Sequence, residues 1–259
     1  MKKTVLLLGF LLSFLPAKSQ LIANLKELRQ DKTVSFDQVI STYNLNQDNP
    51  TVFITWSGKW CMPCVQLIDL YNQCDSSMIN LVTINVDTDE NRPGVLEKGY
   101  DQKWNNAINL RGNLGPNDNG FGNVFNVSLA PLVIYVKNGN IEEILTGYYQ
   151  YPYRLISSGK INNVNLIWNS YTDLNSLAWT YYKDKTDPSQ LEKALRWVNR
   201  SMELDKNYYN TDTYASLLFK TGEYTKALKA AKEAIEIAKA NDIKHVATTE
   251  LINQIIEKL

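Results

Sequence analysis

The string Trp60-Cys61-Met62-Pro63-Cys64 constrains this chain more than any other feature. It follows Thr51–Trp56, a run dense in β-branched and aromatic residues that reads as a buried strand. It opens a stretch whose apolar positions Val65, Ile68 and Tyr71 suit one helix face. Two cysteines at this spacing can close a small disulfide ring. At a strand-to-helix junction the first sulfur lies near unsatisfied N–H groups and the positive dipole end, which stabilise a thiolate. Pro63 fits the first helical turn, where its missing donor costs nothing. Lys59 adds a positive charge, so Lys59, Met62 and Pro63 are the residues expected to tune the pair. The expected chemistry is attack by Cys61 on a target disulfide, then displacement of the product thiol by the more shielded Cys64.

Two other uses of the cysteines compete with this one. Zinc wants four ligands; the only further sulfur is Cys74 and the only histidine, His245, lies far along the chain. No metal site is therefore expected, and no cofactor beyond a redox-active Cys61–Cys64 disulfide. All three cysteines fall within fourteen residues, unlike the spread of a disulfide-stapled scaffold. Cys74 reads as a buried core thiol, with a regulatory disulfide as the sharper alternative.

The start of the chain bears on redox environment. Lys2 and Lys3 precede the almost wholly apolar run Thr4–Leu15, and Ala17-Lys18-Ser19 offers small residues for a cut before Gln20. This is the layout of a secretory signal peptide over residues 1–19, too short to stay as a membrane span. Export to a periplasmic or extracellular space, where disulfides persist, is the expectation. Without Lys2, Lys3 and Lys18 the balance is 24 basic against 27 acidic residues. That slightly acidic chain gives no electrostatic footprint for nucleic acid.

From about Thr33 to Tyr149, β-rich runs alternate with helical stretches. Ser35-Phe36-Asp37-Gln38 has capping-box spacing before Val39 and Ile40. Asn80–Val86 reads as a second buried strand ending at Asp87, and Pro131–Val136 as a third. Lys137-Asn138-Gly139-Asn140 turns into a fourth, Ile141–Thr146. Strands separated by helices and closed by a hairpin indicate an α/β sandwich with a mixed sheet. An insertion occupies about 88–120. Its Gly112–Gly122 stretch reads as a surface turn, since its Asn and Asp spacing matches no complete calcium loop. Tyr148–Tyr153 is the expected junction, with its tyrosines packed between domains; stacking on a sugar is the alternative.

Taken together, Ser35–Gln150 resembles the thioredoxin superfamily. The likeness includes the strand before the motif, Trp60 ahead of Cys61, Val127 four residues before Pro131, and Gly147 eight residues after Gly139. The long insertion and the expected export make it similar to periplasmic reductases of the TlpA/ResA kind. The resemblance implies a thioredoxin-like fold and a cis-proline at Pro131 beside the cysteines. It also implies that Trp60, Ala130 and Pro131 bind substrate, with the Ala130 backbone pairing an extended segment as an added strand. Three positions depart from the pattern: Thr55 stands in place of a buried Asp, Leu67 in place of a Glu, and Leu132 in place of a Thr. Without either carboxylate, proton transfer at the resolving step needs water or another base.

Helical periodicity takes over from about Leu155. Ala194-Leu195 and Ala227-Leu228 lie 33 residues apart, and Tyr214–Leu228 with Ala231 and Ala234 resembles the tetratricopeptide repeat. Such repeats pack antiparallel helices through small residues and expose a groove for peptides or partner helices; the alternative is that this short stack only packs against the thioredoxin-like domain. Leu177–Tyr182 starts an earlier copy, Ile243–Leu259 would cap the stack, and Trp168, Trp179 and Trp197 are expected in the core. The expected organisation is a signal peptide (1–19), a thioredoxin-like domain (20–150) and a helical domain (151–259). The expected function is an exported thiol–disulfide oxidoreductase, reducing by family analogy, that acts on protein thiols and disulfides. A membrane electron donor and a peptide partner in the helical groove complete that expectation. The alternative is a protein-binding scaffold whose thioredoxin-like module turns over little.

Overall fold

Two strands with no exposed residue, Thr51–Trp56 and Asn80–Asn85, form the centre of the molecule. The computed structural model describes residues 23–112, 120–125 and 127–259. The expected signal peptide, most of the Gly112–Gly122 loop and Asn126 lie outside them. The sheet strands are β1 (Asn24–Glu27), β2 (Thr33–Ser35), β3 (Thr51–Trp56), β4 (Asn80–Asn85), β5 (Ala107–Arg111), β6 (Leu132–Lys137) and β7 (Asn140–Thr146). Among them run α1 (Val39–Thr42), α2 (Met62–Asn72), α3 (Arg92–Glu97), α4 (Tyr100–Lys103) and α5 (Phe121–Val124). After β7 come α6 (Tyr153–Ser157), α7 (Tyr171–Asp184), α8 (Pro188–Leu204), α9 (Tyr208–Lys220), α10 (Tyr224–Ala240) and α11 (Val246–Ile256).

The sheet order is β2-β1-β5-β4-β3-β6-β7. β3 and β5 run parallel to β4, while β6 is antiparallel to β3 and β7 to β6. This is the mixed sheet of a thioredoxin-like fold, followed by an all-α bundle. Side chains alternate across it as the two-residue period requires. Val52, Ile54 and Trp56 of β3 join the core shared with α2, whereas Phe53 joins a second core with Phe36, Phe121 and Phe125. Burying each such side chain stabilises the fold by about 1.5–3 kcal/mol.

Two features differ from the sequence expectation, the Ser35 capping box and the burial of two tryptophans. The insertion, ahead of its Gly112–Gly122 stretch, contributes α3, α4 and β5, and β5 joins β4 to the N-terminal strand β1. The capping box at Ser35 does not form, because the Ser35 hydroxyl bonds the Asp37 carboxylate and the chain enters a 3₁₀ turn instead. Of the three tryptophans expected in the helical core, only Trp197 is buried. Trp168 and Trp179 are 37% and 36% exposed, the first beneath the Arg200 guanidinium and the second stacked on Tyr182.

Caps set the helix starts in the bundle. Asp187 accepts from Gln190 N ahead of Pro188, and Asn207 and Asn210 form a reciprocal capping box. Gly222, at φ 83°, makes the left-handed turn between α9 and α10 that a side chain would strain. Ala194, Ala227, Ala231 and Ala234 are fully buried where the helices meet. No helix among the described residues is long and apolar enough to cross a membrane.

The bundle and the sheet share one core. Tyr71, Cys74 and Leu81 belong to the same buried cluster as Leu166, Ile167, Leu174 and Leu177. Asp75 N donates to Leu166 O at 3.0 Å, and Tyr71 Oη to Gln150 O at 2.8 Å. Asp173 sits in this seam, 1% exposed, accepting from the Ser170 hydroxyl (2.7 Å) and from Tyr153 N (3.0 Å). Burial pushes its carboxyl from 3.8 up to about 6, against the pull of those two donors. The folded state therefore binds this proton more tightly than the unfolded chain, and the penalty is full above about pH 6 and relieved as pH falls towards 4. Asp173→Asn is expected to abolish that dependence. Urea unfolding should show the stability gap between variant and wild type changing by roughly 2.5 kcal/mol between about pH 4 and pH 7.

Candidate active site

Strand β3 delivers the chain to Ser57–Trp60, which turns it into α2 with Cys61 as N-cap residue and Pro63 in the first turn. Cys61 and Cys64 are joined in a disulfide with Cα atoms 5.3 Å apart. Both are buried, Cys61 at 3% and Cys64 at 0% exposure. Trp60 and Met62 flank the pair as exposed apolar surface, at 52% and 47%.

A buried carboxylate at the end of β4 holds this turn. Asp87, just beyond β4, accepts from Ser57 Oγ (2.5 Å), Gly58 N (2.8 Å) and Asn85 Nδ2 (2.8 Å). Ser57 Oγ in turn accepts from Lys59 N and Trp60 N, both at 3.1 Å, and Cys61 N donates to Ser57 O at 3.2 Å. A continuous set of hydrogen bonds thus runs from Asp87 to the residue that carries the first sulfur.

The insertion packs on the same turn. Lys98 Nζ donates to Gly58 O at 2.8 Å, Lys59 Nζ to Asn91 Oδ1 at 2.8 Å, and Tyr100 Oη approaches Met62 Sδ at 3.5 Å. Gly58 is required by packing, since a Cβ there would lie 2.5 Å from Val95 Cγ1. Trp104 closes edge-on over Trp56 and donates its indole N–H to Asp69 at 2.7 Å.

Across the pair, the Ala130–Pro131 peptide is cis. Cys61 Sγ lies 3.7 Å from Ala130 O, so a segment 69 residues away meets the sulfur. Leu132 N donates to Thr55 Oγ1 at 2.7 Å, and Gly147 N to Pro131 O at 3.2 Å. Thr55, standing where the resemblance expects an acid, is an anchor for the proline loop. Leu67 is buried and supplies no carboxylate, while the Asp69 carboxylate is engaged by Trp104.

Cys74 forms no disulfide. Its thiol is buried, donates weakly to Leu70 O at 3.8 Å, and is pushed well above its ordinary range by burial and then by the charges of Asp173 and Asp75. Such a sulfur is a core thiol. His245 precedes α11 as its N-cap residue and lies outside this site.

A close cysteine pair that forms a disulfide in a thioredoxin-like fold supports thiol–disulfide oxidoreductase activity. No family model and no curated protein matches the chain. Among solved structures it is similar to an uncharacterized thioredoxin-like protein from Porphyromonas gingivalis, at 23% identity and TM-score 0.40, over 52% of this chain and 86% of that one. A secreted Mycobacterium tuberculosis disulfide oxidoreductase homologous to E. coli DsbE is similar at 17% identity and TM-score 0.35, over 51% and 87%. The thioredoxin domain of a thiol-disulfide oxidoreductase from Bacteroides vulgatus is similar at 18% identity and TM-score 0.32, over 48% and 84%. The chemistry assigned to this chain rests on its own residues.

Proposed function

We propose that this chain is an exported thiol–disulfide oxidoreductase that reduces protein disulfides, with Cys61 as nucleophile and Cys64 as resolving thiol. The observation that carries the reading is the Cys61–Cys64 disulfide at a helix start with Ala130 O 3.7 Å from the first sulfur. In the reduced protein the Cys61 thiolate attacks one sulfur of a target disulfide, forming a mixed disulfide and releasing the other sulfur as a thiolate. Cys64, losing its proton to water, then attacks Cys61 Sγ; the mixed bond breaks, the target leaves with two electrons, and the pair is left oxidised. An exported reductase needs those two electrons returned, and a membrane dithiol donor is the proposed source.

Trp60, Ala130 and Pro131 form the substrate-contact surface in this reading. The exposed apolar side chains of Trp60, Met62 and Leu129 suit an unfolded or extended protein segment. The proposed organisation is a catalytic region to about residue 150 and a tetratricopeptide-like helical region beyond it, whose groove takes a peptide partner. Thr55 and Leu67 favour a second reading, a scaffold with little turnover, because neither supplies a base for the resolving step.

A Cys64→Ser variant separates the two. It is expected to accumulate mixed disulfides through Cys61 with a disulfide-bonded protein such as insulin, released by dithiothreitol and absent from the Cys61→Ser,Cys64→Ser double variant. If the single variant traps no more than the double, the scaffold reading stands.

A further inference from the structure

A cavity of about 180 Å³ lies on the α2 side of the sheet, between β6, β7 and the segment leading into α6, away from the cysteine pair. Its walls are apolar: Val52, Val133, Leu145 and Leu155 line it. A void of this size takes one ring, since a dry cavity of about 150 Å³ holds benzene.

Its polar groups do not balance. Tyr135 lines the cavity at 2% exposure, and its hydroxyl has no hydrogen-bond partner among the described residues. Leaving a buried hydroxyl unpaired costs free energy unless a ligand or water completes it. Neighbouring Tyr71, by contrast, is satisfied through Gln150 O at 2.8 Å. Burial pushes the Tyr135 phenol up to about 12, with Glu142 and Glu143 adding to the effect, so it is a donor at neutral pH. Two cations border the same space. Lys160 sits over the Tyr135 ring at 4.6 Å and pairs with Glu143 at 3.0 Å, whereas Arg154 makes no ion pair among the described residues. The site therefore offers an apolar slot, one unused O–H donor and one unneutralised guanidinium.

We propose that this cavity binds a small free carboxylate with an apolar body about the size of one ring. The body lies among Val52, Val133, Leu145 and Leu155, and the carboxylate accepts from the Tyr135 hydroxyl while pairing with Arg154. The ligand reaches neither cysteine, so this function stands apart from disulfide exchange.

Calorimetric titration of the full chain with phenylacetate tests it, with phenethyl alcohol as the uncharged counterpart. Phenylacetate is expected to bind at least about tenfold more tightly than the alcohol, the difference a charged hydrogen-bond acceptor makes. Tyr135→Phe and Arg154→Gln should each weaken phenylacetate about tenfold, and Arg154→Gln should leave alcohol binding unchanged. Glu143→Gln, which frees Lys160, should tighten it. Equal binding of acid and alcohol, no response to any of the three substitutions, or no binding of phenylacetate at millimolar concentration overturns the proposal.

Discussion

Replacing Asp87 with alanine is expected to destabilise the protein by about 3–5 kcal/mol and to slow disulfide exchange at the same time. The size follows from what the carboxylate holds. It is 3% exposed and accepts from the Ser57 hydroxyl, Gly58 N–H and the Asn85 amide, so its removal leaves three donors short of a partner in a region closed to water. The effect on chemistry follows from where those donors sit. Ser57 holds the N–H groups of Lys59 and Trp60, and Trp60 immediately precedes Cys61. Ser57→Ala removes only the middle link and should cost about 1–2 kcal/mol while slowing exchange in the same direction. Urea unfolding and insulin reduction, measured on both variants, check the pair of effects. Stability and rate within experimental error of wild type for Asp87→Ala would mean that the turn is held by packing alone.

Truncation after Gln150 is expected to have a comparably large effect. The helical region does not merely follow the sheet; Leu155, Ile161, Leu166, Ile167 and Leu174 lie in the cluster that contains Tyr71, Cys74 and Leu81. At about 1.5–3 kcal/mol for each large side chain buried, the shared surface is worth on the order of 10 kcal/mol, as much as the whole net stability of a typical domain. Tyr71 would lose the wall across from Gln150, and Asp75 N its bond to Leu166 O. The full chain should unfold in one cooperative transition. The fragment ending at Gln150 should keep secondary structure yet lose near-ultraviolet ellipticity and cooperative unfolding. A fragment that melts cooperatively at the temperature of the full chain would show that the two regions are energetically separate.

Much of this was legible in the sequence because it is local. The strand before the motif, Pro63 in the first turn of α2, and the hairpin at Asn138-Gly139 are each written within a few residues. The position of Pro131 beside Cys61 spans 69 residues and was reachable only through resemblance. The Asp87–Ser57 bond was not legible, because it joins the ends of two strands 30 residues apart and nothing near Asp87 marks it as more than a polar strand end. Nothing local marks the elements of the insertion ahead of Gly112, because β5 alternates weakly and four of its five residues, Ala107, Ile108, Asn109 and Arg111, are only half-buried. The exposure of Trp168 and Trp179 is not legible either, because an aromatic face covered by Arg200 or by a neighbouring tyrosine keeps an exposed edge. The cavity under Tyr135 depends on how α6 meets β6 and β7, a tertiary fact without a sequence signature.

The most direct test of the central claim is a thiol titration of the full chain across glutathione and dithiothreitol buffers, trapping free thiols at each poise. Cys61 and Cys64 are expected to lose their thiols together, as one two-electron couple with a midpoint between about −120 and −300 mV. Cys74, buried with its thiol pushed well above the ordinary range, should stay reduced and unlabelled in the native protein throughout. A pair that remains reduced at every poise, or Cys61 exchanging independently of Cys64, would contradict the account.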